Sequence, residues 1–268
     1  MQKRNGEILC SASDLVNYLE CEHLTTLDLI DLETPLAKTQ DSDQAKLIQA
    51  KGYAHESDFL AVLKARHPLL IDIAAAGGNL EQKVLNTLQA MHDGYDIIFQ
   101  ATLRDGNRVG HADFLRKVPR PSDLGDWSYE VMDTKLARST KAKFIVQLGF
   151  YSELVGKAQG LAPLQMHVVL GDRTEIAYRY ADYSRYLMHV NQRFLERITG
   201  KALETFLFPV KNATCANGAG CARSGGLPMT ISARWPTSAN CRSRSCNWLA
   251  WRPSKPWVRC RWRPESRK

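Results

Sequence analysis

The largely apolar run YEVMDTKL, residues 129–136, closes on Asp133-Thr134-Lys135. On an extended strand alternate side chains share a face, so Tyr129, Val131, Asp133 and Lys135 point one way and Glu130, Met132 and Thr134 the other. A carboxylate and an ammonium thus emerge together at a strand end. Alone, an Asp-x-Lys is most simply a surface ion pair. A second acid changes the weighing. Asp113 stands in GHADFL, in the middle of the preceding strand-like segment, where an ionised carboxylate is costly to bury without positive charge nearby. Two carboxylates on adjacent strands beside a lysine form a hard-oxygen site suited to Mg²⁺ or Mn²⁺. A salt bridge from Asp113 to Lys135 without any metal is the plainer alternative.

Three further groups carry hydrogen-bonding or ligating heads. His55, in KGYAHESDF, lies one helical turn after Gly52, with Glu56 beside it as a supporting group; a lone surface histidine is the commoner outcome of such a pattern. Gln147 and Tyr151 are four residues apart and share one helical face. A half-buried core tyrosine with a solvated glutamine explains them equally well. Arg138 and Lys141, just before that helix, suit either phosphate or plain solvent.

These residues need a scaffold, and the hydrophobic pattern supplies one. Ser13-Asp14 is read as the cap of a helix running to about residue 31, followed by helices over 43–66 and from Asn79 to near Gly94. The period then changes to two. YDIIFQATLRDG and NRVGHADFLRKV read as strands turning at Asp105-Gly106, and DWSYEVMDTKL reads as a third strand. A helix over 141–158, a second hairpin (LQMHVVLGD and TEIAYRYAD) and a last helix over 182–199 complete a mixed α/β domain.

Composition divides the chain. The net charge of +8 invites a nucleic-acid reading, but residues 211–268 hold 12 Lys and Arg against one acid, a net +11. Residues 1–210 hold 24 basic and 27 acidic residues, a net −3. The same tail has five of the seven cysteines, five of the six tryptophans, no Phe and no regular period. It reads as a disordered basic arm or as out-of-frame sequence. With no apolar run of about 18 residues and no signal-peptide core, a cytoplasmic protein with reduced cysteines and no membrane contact is expected.

In their order, Gly52 and His55, Asp113, Asp133-Thr134-Lys135 and Gln147-x-x-x-Tyr151 resemble the RecB-type branch of the PD-(D/E)XK nuclease superfamily. The opening CSASDLVNYLECEHLTTLDL is similar to the start of that branch, and the likeness covers roughly residues 8–210; the Gly–His spacing is one residue short of the family pattern. The resemblance implies a restriction-endonuclease-like core over 96–210 with an N-terminal helical region over 1–95. It implies that His55, Asp113, Asp133 and the backbone carbonyl of Thr134 hold Mg²⁺ or Mn²⁺. Lys135 would orient water or stabilise phosphoryl charge, and Gln147 and Tyr151 would position the strand. The activity implied is metal-dependent phosphodiester hydrolysis on DNA, single-stranded or with ends, of the repair or recombination type. Two readings compete: an impaired nucleic-acid-binding fragment of a larger nuclease or helicase-type protein, and an α/β enzyme of another class.

Several members of that branch carry an iron–sulfur cluster on one N-terminal cysteine and a downstream C-x-x-C-x5-C group. Cys21 matches the first. Cys215 and Cys221 are not preceded by the required C-x-x-C, so the chain as written is expected to hold no cluster, since such a cluster needs four thiolates. Codon degeneracy allows VKNATCANGAGC to be read in a shifted frame as EECDLCQWCGVC, which restores the pattern. A frameshift near residues 209–211, with further C-terminal domains lost, is the corresponding expectation.

Overall fold

Backbone pairing begins at once, with β1 (Gln2–Arg4) and β2 (Glu7–Leu9) forming a small antiparallel hairpin. The computed structural model describes residues 1–4, 6–36 and 42–200. Every described residue belongs to one compact unit, which lies within Met1–Gly226. The expected basic tail over 211–268, with its cysteines, lies outside the described residues. Among the described residues no helix is long and apolar enough to cross a membrane.

The expected first helix is two helices. α1 (Ala12–Glu20) is capped by Ser11 rather than Ser13, because Asp14 sits at the third helical position and closes a capping box with Ser11. The Ser11 hydroxyl accepts from the Asp14 N–H, and the Asp14 carboxylate accepts from the Ser11 N–H at 2.8 Å. Cys21 then adopts an extended backbone, ends α1 and starts α2 (Glu22–Glu33). α3 (Asp43–Arg66) has the bounds read from sequence, with Ser42 as its cap. β3 (Leu70–Asp72) was not expected; it precedes α4 (Leu80–His92), which Asn79 caps.

The remaining elements follow the expected order: β4 (Ile97–Asp105), β5 (Arg108–Val118), β6 (Ser128–Thr134), α5 (Ala142–Ala158), β7 (Gln165–Val169), β8 (Glu175–Arg179) and α6 (Tyr180–Thr199). The strands form one mixed sheet in the order β3-β4-β5-β6-β7-β8, flanked by helices. β3–β4 and β6–β7 pair in parallel; the other neighbours are antiparallel. The fold is therefore α/β, with α5 as the crossover that lets β6 and β7 run the same way.

Alternation assigns the two faces. Ile98, Leu115 and Val131 enter the large core with Leu15, Met91, Phe150, Leu154 and Leu187. Their neighbours Ile97, Phe114 and Met132 enter a smaller core with Leu60 and Leu63 of α3. Gly149 lets α5 and α6 approach, since a Cβ there would collide with the Leu187 side chain. α5 is buried along most of its length, which fixes everything it carries.

The alternation slips at one place. Ile98 and Ala101 lie in the same core, as do Ala112 and Leu115, although each pair is three residues apart. On regular strands those positions face opposite ways. The slip falls at Gln100 and Asp113, where the β4–β5 pairing skips one step and Gln100 takes a left-handed backbone at φ 52°. A non-glycine residue held there costs on the order of 1–3 kcal/mol and persists only when its surroundings enforce it.

On four adjacent strands a charged cluster ties the sheet's far side together. The buried His167 of β7 bonds Glu130 of β6 at 2.9 Å and Glu175 of β8 at 2.9 Å. Arg116 of β5 reaches Glu175 at 2.8 Å and lies against the imidazole. Burial by itself lowers the His167 pKa, but the bonds to Glu130 and Glu175 outweigh it and the net shift is upward. The His167 hydrogen bond and the Arg116 charge bring Glu175 down to about 2, against burial. The raised histidine stabilises the fold below its unfolded pKa of about 6.5 and ceases to as pH rises through its folded value. The depressed glutamate stabilises it above 4.5 and ceases to as pH falls toward 2. Glu175→Gln is thus expected to lower Tm by a few degrees between about pH 4.5 and 6.5. Thermal melts across pH should show that deficit shrinking in more acidic buffer; a constant deficit would remove the ion-pair account.

Candidate functional site

Two aspartates meet where the sheet slips. The β5–β6 register runs to Phe114↔Met132, and its next step sets Asp113 opposite Asp133. Asp133 is fully buried, and neither of its carboxylate oxygens accepts a hydrogen bond. The Lys135 ammonium stands 2.7 Å from Asp133 Oδ2, at ion-pair range but off hydrogen-bond alignment. Lys135 lies one residue beyond the end of β6 and also sits 5.6 Å from the centre of the Phe144 ring. Asp113 Oδ2 accepts the Thr134 N–H at 3.2 Å, with the Thr134 hydroxyl at 3.5 Å. Thr134 therefore anchors an acid through its donors.

Electrostatics sets the protonation. Burial first, then the Asp133 charge and the carboxyl–carboxyl contact, raise Asp113 well above the usual carboxylate range; Lys135 opposes this only in part. Without a bound cation, Asp113 thus holds its proton to higher pH than an ordinary carboxyl does. Two buried carboxylates side by side cannot both ionise cheaply.

Three elements bring the remaining groups. The buried stripe of α3 holds His55, Glu56, Phe59, Leu60 and Leu63, at helical spacing. Glu56 accepts a short hydrogen bond from the Gln100 side-chain amide, so the left-handed residue reaches over to the helix. Burial raises Glu56, the Gln100 bond lowers it, and the charges of Asp133 and Lys135 both reach it. His55 Nε2 is buried and has no hydrogen-bond partner. Among the described residues no three His, Cys, Asp or Glu side chains stand in a metal-holding geometry, so His55 does not join the two aspartates in one ligand sphere.

From α5, the Gln147 amide donates to the Tyr151 hydroxyl at 3.1 Å. Tyr151 is buried, and its phenol is pushed up by burial, then by the charges of Asp133 and Asp113, with Gln147 opposing. The Tyr151 phenol thus lies within electrostatic reach of both acids. Gly110 of β5 makes room for it: a Cβ there would sit 3.0 Å from the Tyr151 ring and 2.6 Å from Leu154. Arg138 and Lys141 are exposed, with Lys141 at the start of α5. Cys21 is half-exposed at the α1–α2 junction, while Cys10 is buried and its thiol is pushed up to about 12 by burial first and Asp14 next.

The structure thus gathers Asp113, Asp133, Thr134, Lys135, Gln147 and Tyr151, and adds Glu56 and Gln100. Glu56 was legible only as the neighbour of His55. Gln100 carried no signal, since nothing in its residue type announces a left-handed backbone.

No family model matches this chain, and no curated protein does. Among solved structures, the crystal structure of SSO0001 is similar over 78% of this chain and 85% of that one, at 15% identity and a TM-score of 0.34.

The raised Asp113 makes a stability prediction. Between its unfolded pKa near 3.9 and its folded value, the folded state binds the extra proton, so stability falls as pH rises through that range. Asp113→Asn keeps the acceptor for Thr134 and a donor toward Asp133 without the proton. In EDTA it should stabilise the protein by on the order of 1–3 kcal/mol at pH 8, and by nothing below about pH 4. Urea titrations at the two pH values measure this; a variant less stable than wild type at pH 8 would contradict the raised pKa of Asp113.

Proposed function

We propose that the chain is a divalent-metal-dependent phosphodiesterase acting on nucleic acid, most simply DNA, with a PD-(D/E)XK-type core of the RecB-like branch. The observation that carries this reading is the fully buried Asp133, with both oxygens unbonded, facing Asp113 and Lys135 at the end of β6. Two facing buried carboxylates exceed the single charge that Lys135 supplies, and a bound cation would balance the second. The donors suit a hard dication: Asp113, Asp133 and nearby Glu56 offer oxygens.

Asp113 and Asp133 would hold the metal, with the Thr134 carbonyl as a backbone donor and His55 outside the ligand sphere. When bound, the metal polarises a phosphoryl oxygen and acidifies a water. The work of the chain is positional. Asp113 has to give up its proton, so binding strengthens as pH rises. The Thr134 N–H holds Asp113 in place. The Lys135 ammonium, already neutralising Asp133, meets charge that develops on the phosphoryl oxygens. Gln147 fixes the Tyr151 hydroxyl, which turns a hydrogen-bonding edge toward the bound strand. Buried walls from β5, β6 and α5 keep bulk water from competing.

The test is cleavage of single- and double-stranded DNA by the purified protein in Mg²⁺ or Mn²⁺, with and without EDTA. Asp133→Ala and Lys135→Ala should each reduce the rate by about 10²–10³-fold or more, and EDTA should abolish it. Tyr151→Phe should lower the rate while leaving Tm nearly unchanged. Cleavage that survives EDTA or Asp133→Ala would overturn the proposal. DNA binding with no cleavage under any metal would favour the impaired nucleic-acid-binding fragment.

A further inference from the structure

The break in the β4–β5 ladder sets three polar side chains in one row across the sheet. Phe99↔Phe114 and Ala101↔Ala112 leave Gln100 opposite Asp113, and the step after Phe114↔Met132 leaves Asp113 opposite Asp133. On a regular strand Gln100 would share the face of Ile98 and bury its amide among the apolar side chains of the large core. Ala101 takes up that face instead, and the left-handed backbone of Gln100, at φ 52°, turns the amide to the α3 side. A residue other than glycine held in this conformation persists only where its surroundings enforce it, and such positions gather at functional sites.

There the amide meets Glu56, whose carboxylate accepts its hydrogen bond. Both partners are seated through one ring: Phe99, next to Gln100, and Phe59, one helical turn after Glu56, pack against Phe114 with ring centres 5.0 and 5.4 Å away. The Glu56 charge reaches Asp113, and the charges of Asp133 and Lys135 reach Glu56. Among the described residues no three such side chains stand in a metal-holding geometry, so Glu56 lies outside the sphere of the two aspartates. A carboxylate at that remove suits a water that the cation carries, and Mg²⁺ keeps several waters when it binds. The fully buried Asp133, with both oxygens unbonded, marks the side of the row on which the cation would be held.

We infer that Gln100 is a positioning residue of the site, which holds Glu56 as the acceptor for a cation-bound water. The inference rests on the metal-dependent reading and adds to it a residue pair that ties α3 to the row of acids. Glu56 orients the water, Gln100 acts through Glu56, and neither touches the cation. The left-handed backbone is thus the means by which β4 contributes to a site whose acids stand on β5 and β6.

The full chain is tested by a double-variant cycle. Mn²⁺ affinity is read without nucleic acid, from the electron paramagnetic resonance signal of the free ion. Glu56→Ala should weaken it about 10–100-fold and Gln100→Gly about tenfold. In the Glu56→Ala background, Gln100→Gly should change nothing further, because no carboxylate is left for the amide to hold. Glycine takes the left-handed backbone freely, so Gln100→Gly without metal should melt within a few degrees of wild type. Gln100→Asn, which tolerates the same backbone but falls one methylene short of Glu56, should show the same loss of affinity. In saturating Mn²⁺, kcat for DNA cleavage should still fall about tenfold in Gln100→Gly, with KM unchanged. An undiminished Mn²⁺ affinity in Gln100→Gly overturns the inference, and so does a loss that adds in full to that of Glu56→Ala. If wild type binds Mn²⁺ but cleaves no nucleic acid, the phosphodiesterase reading falls and the cycle still decides the inference; if it binds none, both fall.

Discussion

Asp113 and Asp133 impose the constraint around which the rest of the site is arranged. Two carboxylates buried opposite one another on adjacent strands repel, and the sheet that carries them has no freedom to separate them. The protein answers with one ammonium, a raised Asp113 pKa and two donors from Thr134. None of these would be needed by an apolar pair at the same positions. A hydrophobic substitution there would fit the core more cheaply, so the arrangement is a cost borne in the fold's most buried layer.

That cost is distributed over elements held elsewhere. β6 is buried at every residue, and α5 packs against it through a nearly continuous apolar surface. Gly110 and Gly149 let backbone and side chains approach where any Cβ would intrude, one beneath Tyr151 and the other beneath Leu187. The slip at Gln100 keeps Asp113 out of the regular ladder and sends an amide across to Glu56. On the opposite flank, the His167 cluster joins four strands by charge where no large apolar core is available.

Much of this architecture was legible in the sequence. α3, α4, the Asp105-Gly106 hairpin, β6, α5 and the β7–β8 hairpin follow from period, caps and turn residues that act locally. Asp113, Asp133 and Lys135 were legible because charge in an apolar strand is anomalous wherever it occurs. What escaped depends on distance or on backbone state. β3 is three half-buried residues that become a strand only by pairing with β4. Cys21 breaks a helix without glycine or proline. Arg116 and Glu175 are 59 residues apart, and only the sheet order brings them together. His55 was read as a ligand on resemblance, and in this conformation it stands outside the carboxylate pair.

α3 is anchored unevenly. Phe59, Leu60 and Leu63 hold its second half to the sheet, whereas Leu47, Ile48 and Tyr53 in its first half are more than half exposed. Its early backbone hydrogen bonds face solvent with few apolar contacts to defend them, the circumstance in which a segment frays at a free energy well below that of global unfolding. His55 and Glu56 ride at the boundary between the two halves. The acid pair is therefore rigid on its strand side and yielding on its helix side. Amide exchange would run fast up to about the turn that bears these two residues and slow beyond it, so the helix-borne side of the site would be remade more often than its strand-borne side.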